Sequence, residues 1–543
     1  MKLHSLLLAF MVTLLSSPTS AKVFYVDPAH GSASGDGSAS RPWKTLEEVV
    51  HNNLIESFSY VLPYDPKNPA TKVKNPGAPV KAGDTILLYN GLHGTLELQD
   101  YINSSTITIM AFPGQTPVLK RVHLLACKNW VLDGLLVSSE PYSTYIKSTL
   151  VFLESHKWHG PVHSVTVQNC IIYSARQPWT KASDWNSKMS NGIIASGDSI
   201  RILNNTISNI NFGIAPVGNH TQVINNTITN FAGDGIRILG SNGIYRNNIV
   251  MNCYKVNSNH DDGIQSYTTG GLRVDSNIIE GNIILNYTDP DQPLLGPLQG
   301  IGCFDGPFND WIIRNNIVIV DHWHGISLYG AHRCTFVNNT VLDPSPGVRP
   351  GPAWIKIENN KNGTNSDHCI VKNNITNTLA INAKTTIVGN NILMRTNQQY
   401  QRNFVDYTAF DFHLLKNSIC VDKADDLYAP AVDRDGTPRP QGQHADIGAY
   451  EYQVPTGIFH IKNGGFHVSP NPASDRIYIS GSEGQFDVTM VDLSGRIALV
   501  KTGVSLPGYL DVTALKHGVY AVNIASHGRK IAGNFICLLV IVF

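Results

Sequence analysis

Two short motifs alternate down the middle of the chain, each with apolar residues at every second position. One reads ILNNTI from position 202, VINNTI from 223, YRNNIV from 245, VDSNII from 274, IIRNNIV from 312, FVNNTV from 336 and IVKNNIT from 370. The other reads NGIIAS from 191, FGIAPV from 212, DGIRIL from 234, DGIQSY from 262, QGIGCF from 299, HGISLY from 324 and AWIKIE from 353. The first members of each series stand 21 and 22 residues apart, and loops lengthen the later repeats. Short β-branched runs with no helical period between them predict one turn of a parallel β-solenoid per repeat. A single coil cannot bury its apolar face, so equivalent strands stack about 4.8 Å apart and share one core. The Asn-Asn pairs then fall above one another at a corner, where asparagine tolerates left-handed backbone and its amides bond along the stack. Several of these pairs also read as N-x-[ST] sequons, which a structural ladder explains better than glycosylation does.

Strand alternation assigns sides within the second series. Ile193, Ile214, Ile236, Ile264, Ile301, Ile326 and Ile355 point inward, and Arg237, Gln265, Ser327 and Lys356 point outward. Leu239, Tyr267, Phe304, Tyr329 and Glu358 follow on the outer side, so one face is polar and aromatic. Thr45-Leu46-Glu47-Glu48 matches a capping box ahead of Val49, Val50, Leu54 and Ile55, predicting a short amphipathic helix over the N-terminal end. The turn-rich run DRDGTPRPQGQHADIGAYEY, 433 to 452, closes this domain. Beyond it, RIYIS, FDVTMVD, LDVTAL and GVYAVNI predict a small β-sandwich. The expected division is an all-β solenoid domain over 22–455, a linker over 456–465 and the sandwich over 466–543.

Residues 1–21, with Lys2, an apolar run from Leu6 to Leu15 and a small-residue end at Thr19, Ser20 and Ala21, read as a secretory signal peptide. The apolar run Phe535 to Phe543 is about half the ~20 residues a bilayer span needs, so no transmembrane helix is expected. With 41 basic and 41 acidic residues, no global field favours nucleic acid or an anionic membrane. A monomer is expected. The eight cysteines form no CxxC pair, which argues against zinc and against a disulfide scaffold. Cys334 and Cys369 each precede an Asn-Asn pair by four residues, and a bond between stacked coils there is the alternative to two buried thiols.

Two resemblances carry further expectations. SPNPASDRIYI, VDLSGR, LDVTALKHGVYAVNI and the late Lys530 resemble the type A C-terminal sorting domain that Bacteroidota-type bacteria use for export through the type IX secretion system. That implies a secreted or surface-held protein with the secretion machinery as a partner. From FYVDPAHGSASGDGSASRPWKTLEEVV to DIGAYEY the chain resembles the right-handed parallel β-helix superfamily of pectate lyases and polygalacturonases. Within it, GDGI with Asp234, HDDGI with Asp261 and Asp262, HWHGISL with His322 and His324, and WIKI with Lys356 are similar to the polygalacturonase-like glycosidase motifs. The resemblance implies an inverting glycoside hydrolase: Asp262 or Asp261 protonates the leaving oxygen, Asp234 with the other activates water, and the histidine and lysine hold the sugar. Two departures stand out. QGIGCFD adds a coil between the Asp pair and His324, and Trp354 occupies the position expected to carry arginine.

Neighbouring coils place Asp234 about 5 Å along the axis from the Asp pair, and a lateral offset widens this toward the ~6.5 to 9.5 Å of inversion. Crowded carboxylates also raise one another's proton affinity, keeping one protonated as the acid. β-Elimination on a uronic-acid polymer is the alternative; there Asp234, Asp261 and Asp262 hold Ca²⁺, and Arg237, Lys356 or His324 serves as base. Without elimination no cofactor is expected. A third alternative is a binding solenoid without catalysis, exported and displayed by its sorting domain. For each Asp-Gly alone a turn is the plain reading; concentration at one strand entrance in successive coils favours chemistry. Gln265, Tyr267, Phe304, His322, Trp323 and Tyr329 are the expected substrate contacts beside Arg237 and Lys356. Trp179 and Trp185, in the polar insertion 173–191, are expected to wall the groove.

Overall fold

The computed structural model describes residues 21–268, 273–453, 467–469, 475–492, 496–516, 518–526 and 535–541. The expected signal peptide, apart from Ala21, lies outside these residues, as do the linker 456–465 and Lys530. The chain forms two compact units, Met1–Tyr452 and Gln453–Phe543.

The first unit is a parallel β-helix. Three long sheets run its length, and successive strands of the chain visit them in turn. Sheet one, of 11 strands, carries the Gly-Ile series; sheet two, of 15, leads into the asparagine corner; sheet three, of 12, leads out of it. Ile193, Ile214, Ile236, Ile264, Ile301, Ile326 and Ile355 stack in register, all buried. Each such isoleucine contributes about 1.5–3 kcal/mol relative to exposure. The helix Leu46–His51 forms as the capping box predicts, with the Thr45 side chain accepting from the Glu48 backbone N–H. Leu46, Val49 and Val50 join the main core.

The corner is an asparagine ladder. Asn205, Asn226, Asn248, Asn282, Asn316, Asn339, Asn374 and Asn391 each pass an amide N–H to the next, at 2.9–3.0 Å. The preceding residue turns left-handed, from Asn204 at φ 56° to Asn390 at 49°. One register differs from the sequence reading. The ladder member of the fourth coil is Asn282, preceded by Gly281, and not Asn277 of VDSNII. Buried Ile279 pairs with both Tyr245 and Ile313, so the buried stack sets the phase and Asn277 sits one corner earlier, accepting from Gly243 N–H. Cys334 and Cys369 occupy adjacent coils as free, buried thiols, so no disulfide joins them; each donates to a backbone carbonyl instead.

In the second unit the described strands form one antiparallel sheet around the long strand Arg476–Asp492. Its core includes Ile477, Ile479, Val488, Met490, Leu510, Val522 and Ile524. Among the described residues no helix is long and apolar enough to cross a membrane.

Candidate functional site

On sheet one, Arg237, Gln265, Gly302, Ser327 and Lys356 form a single outward row across five coils. At its centre lies a cavity of about 340 Å³ lined by His260, Gln265, Ser266, Tyr267, Gln299, Phe304, Asp305, His324, Tyr329 and Lys361. Pairing slips by one residue at Phe304, so that Tyr267 faces Asp305. The Phe304 ring meets His324 edge-on at 4.7 Å and Tyr329 at 5.3 Å. Tyr267, Phe304, Tyr329, Gln265 and His324 therefore share one cavity, built by strand alternation plus a bulge.

The three aspartates are not open to that cavity. Asp234, Asp261 and Asp262 are 1 %, 3 % and 0 % exposed. Asp234 Oδ2 accepts from Arg237 Nε at 2.5 Å, and its Oδ1 accepts from Asp262 N–H at 3.1 Å. Arg237 itself lies over the Phe212 ring at 3.7 Å, locked between acid and aromatic rather than lining the cavity. Asp261 Oδ2 accepts from Lys255 Nζ at 2.8 Å, while Lys255 also donates to the Asn259 carbonyl. The loop residue Gly296 lies so close over Lys255 that an added Cβ would sit 2.4 Å from the lysine Cβ. Among the described residues no cation pairs with Asp262. Its Oδ2 accepts from Gln265 Nε2 at 2.9 Å, and its Oδ1 is buried without a partner. A Cβ built on Gly302 would stand 2.1 Å from that oxygen and 2.9 Å from Phe304 Cε2, so the glycine makes room for the carboxyl beside the ring.

Charge follows from this pairing. Burial raises Asp262 well above the ordinary carboxyl range, with the Asp234 charge adding to it. Burial raises Asp234 as well, opposed by Arg237. Asp261 is pushed up to about 7 by burial, opposed by Lys255. Three acids facing two cations hold a proton at neutral pH, and it belongs on the carboxyl without a cation. Burial lowers both His322 and His324 to about 4, with His260 acting on the first and His322 and Lys356 on the second. His324 is thus a neutral imidazole, its Nδ1 2.9 Å from Ser327 Oγ, to which Trp354 Nε1 donates at 3.1 Å.

The pairing sets a pH dependence. Because the folded Asp261 keeps its proton up to about 7 and the unfolded one releases it near 3.8, its contribution is complete below the lower value. It is lost as pH rises through the upper one, by up to about 1.4 kcal/mol per pH unit. Urea midpoints between pH 4.5 and 8 should fall less steeply for Asp261→Asn than for the wild type; equal slopes refute the assignment.

Other expected contacts are placed differently. Trp185 is fully buried in a cluster with Met189, Ala232, Tyr254 and Val256, with Trp179 against it. Trp185 Nε1 donates to the Trp179 carbonyl at 2.7 Å. The insertion packs on Ala232, Tyr254 and Val256 of later coils, and neither tryptophan lines the cavity. His322 stacks on His324 at 5.2 Å and Trp323, which is exposed, on Trp354 at 6.5 Å; neither His322 nor Trp323 lines the cavity. Lys356 is held 3.3 Å from Glu358, over the Trp354 ring. A calcium ion does not fit the acids as arranged, because Arg237 and Lys255 already engage Asp234 Oδ2 and Asp261 Oδ2. His260, Gln299, Asp305 and Lys361 line the cavity without having been singled out from sequence. His260 abuts the Asp pair and Asp305 ends the QGIGCFD strand, which is the signal that marks those two.

The family model for a right handed beta helix region matches residues 191–351, and that for a secretion system C-terminal sorting domain matches 467–537. No curated protein sequence matches the chain. Among solved structures, the chain is similar to pectate lyase Pel9A, with 13% identity, 80% of this chain and 96% of that chain covered, and a TM-score of 0.41. The Dettilon tailspike protein shares 14% identity over 82% of this chain and 74% of its own, at a TM-score of 0.41. The A-module of the Azotobacter vinelandii mannuronan C-5 epimerase AlgE6 shares 12% over 58% and 91%, at 0.39. The chain is a right-handed parallel β-helix protein with a secretion system C-terminal sorting domain, which directs it through the type IX system to the cell surface or the extracellular space.

Proposed function

We propose that the protein is a polysaccharide-cleaving enzyme acting at the sheet-one cavity, most simply a glycoside hydrolase with Asp262 as the general acid. One observation carries the reading: a carboxyl that burial keeps protonated, with one oxygen lacking a partner, lies one layer under the cavity beside Phe304 and behind Gln265, so that movement of Gln265 would open it to a sugar on the aromatic rings. Tyr267, Phe304 and Tyr329 supply the platform, and Gln265 orients the acid. With Asp234, Asp261 and Asp305 engaged by Arg237, Lys255 and Lys361, the base falls to the neutral His324, which lines the cavity.

The neutral His324 also favours a second reading, elimination from a uronic-acid chain, with the imidazole taking the C5 proton and Lys361 turning from Asp305, 2.7 Å away, to the substrate carboxylate. Product analysis on neutral and uronate polymers separates the two. Reducing ends without ultraviolet-absorbing unsaturated ends mean hydrolysis, and unsaturated ends mean elimination. Binding without either product on any polymer refutes both and leaves a carbohydrate-binding solenoid.

A further inference from the structure

We infer that the asparagine corner carries a second site, outside the groove, for an anionic carboxylate or sulfate group. Arg246, Glu280 and Arg314 end three consecutive sheet-two strands in register. Glu280 accepts from Arg246 Nε at 2.9 Å and from Arg314 Nε at 2.8 Å. The segment 432–436 folds over this row and encloses a cavity of about 420 Å³.

Every carboxylate oxygen lining the cavity has a partner. Both Glu280 oxygens take the two arginines. Asp433 Oδ1 accepts from Asp435 and Thr437 N–H and its Oδ2 from Glu451 N–H. Asp435 accepts from Arg434 Nη1 and from His413 Nε2. The donors are in surplus. Arg246 and Arg314 use only Nε, their Nη groups having no protein partner among the described residues, and Arg434 Nε is buried with none. Gly281, at φ 64°, stands where the coils on either side place the asparagines Asn247 and Asn315, and a Cβ there would sit 2.4 Å from Asn247 Oδ1, so the glycine leaves the floor to that amide.

With its carboxylates satisfied and one buried amide oxygen, Asn315 Oδ1, unpartnered, the lining still offers more free guanidinium donors than free buried acceptors among the described residues, which selects an acceptor-rich ligand, and guanidinium forks match carboxylate and sulfate oxygens in pairs. Arg246 and Arg314 are two coils, about 10 Å, apart, and their side chains are 39 % and 32 % exposed, open to a ligand from solvent. The same chemistry is offered by a free inorganic anion or by an acidic group on a glycan. The inference does not depend on what the groove does.

Calorimetric titration of the full chain at low salt with sodium sulfate, glucuronate and a uronate oligosaccharide tests it. Binding is expected in the wild type and in Asp262→Asn, and about tenfold or weaker in Arg434→Gln and Arg246→Gln, since the loss of one charged contact of ~1.5 kcal/mol is a factor of ten. Circular dichroism checks that both variants fold. An arginine-sensitive component in which the oligosaccharide binds tighter than glucuronate assigns the site to a glycan, and one in which sulfate binds as well as the oligosaccharide assigns it to a free anion. No heat with any of the three, or wild-type affinity in both arginine variants, overturns it.

Discussion

Asp262→Asn is expected to lower turnover about 10²- to 10⁴-fold, the usual worth of a positioned general acid, while leaving sugar affinity within a few-fold. Asparagine keeps the shape, and its amide still meets Gln265, but it has no proton to give. The variant is also expected to be no less stable than the wild type at pH 8, because it removes a buried ionisable group that has no cation beside it. Rate and stability therefore move independently, and a fall in both would mark Asp262 as structural. Gly302→Ala provides a second check: its methyl would stand 2.1 Å from Asp262 Oδ1, displacing the carboxyl without altering its chemistry. It should reduce turnover more than it reduces affinity. Full activity in Asp262→Asn, measured on whichever polymer the wild type cleaves, would remove this residue from the mechanism.

Asn282→Ala is expected to cost about 3–5 kcal/mol, read as a lowered urea midpoint at unchanged m. Asn282 Oδ1 accepts from both the backbone N–H and the side-chain amide of Asn248, and its own amide donates to the Tyr245 carbonyl and to Asn316. Alanine leaves several of these groups buried without partners, at ~1–3 kcal/mol each. Asn247→Gly is the control. It acts on the outer residue of the same corner, where Gly281 already performs the turn one coil on, and should cost within about 1 kcal/mol. Equal losses in the two variants would mean that the turn conformation, not the amide ladder, stabilises the corner.

The repeat itself was plain in the order of residues, because a solenoid makes long-range contacts between segments at fixed spacing and its period survives in the chain. The inward isoleucines, the outward row from Arg237 to Lys356, the capping box at Thr45 and the aromatic side of sheet one all follow from alternation, a local property. The fourth coil escaped this logic: VDSNII imitates the motif, but packing of Ile278 and Ile279 in the stack selects Asn282 for the ladder. At the site, sequence alone determined that Asp234, Asp261, Asp262 and His324 approach one face. Only the tertiary structure decided that Arg237 and Lys255 neutralise two of the acids, that Asp262 lies beside Phe304, and that Trp185 packs against Tyr254 and Val256. Those outcomes depend on loops 254–260 and 286–298 and on a bulge at Phe304. Burial and the choice of counter-ion are properties of what folds over a residue, and no local pattern encodes them.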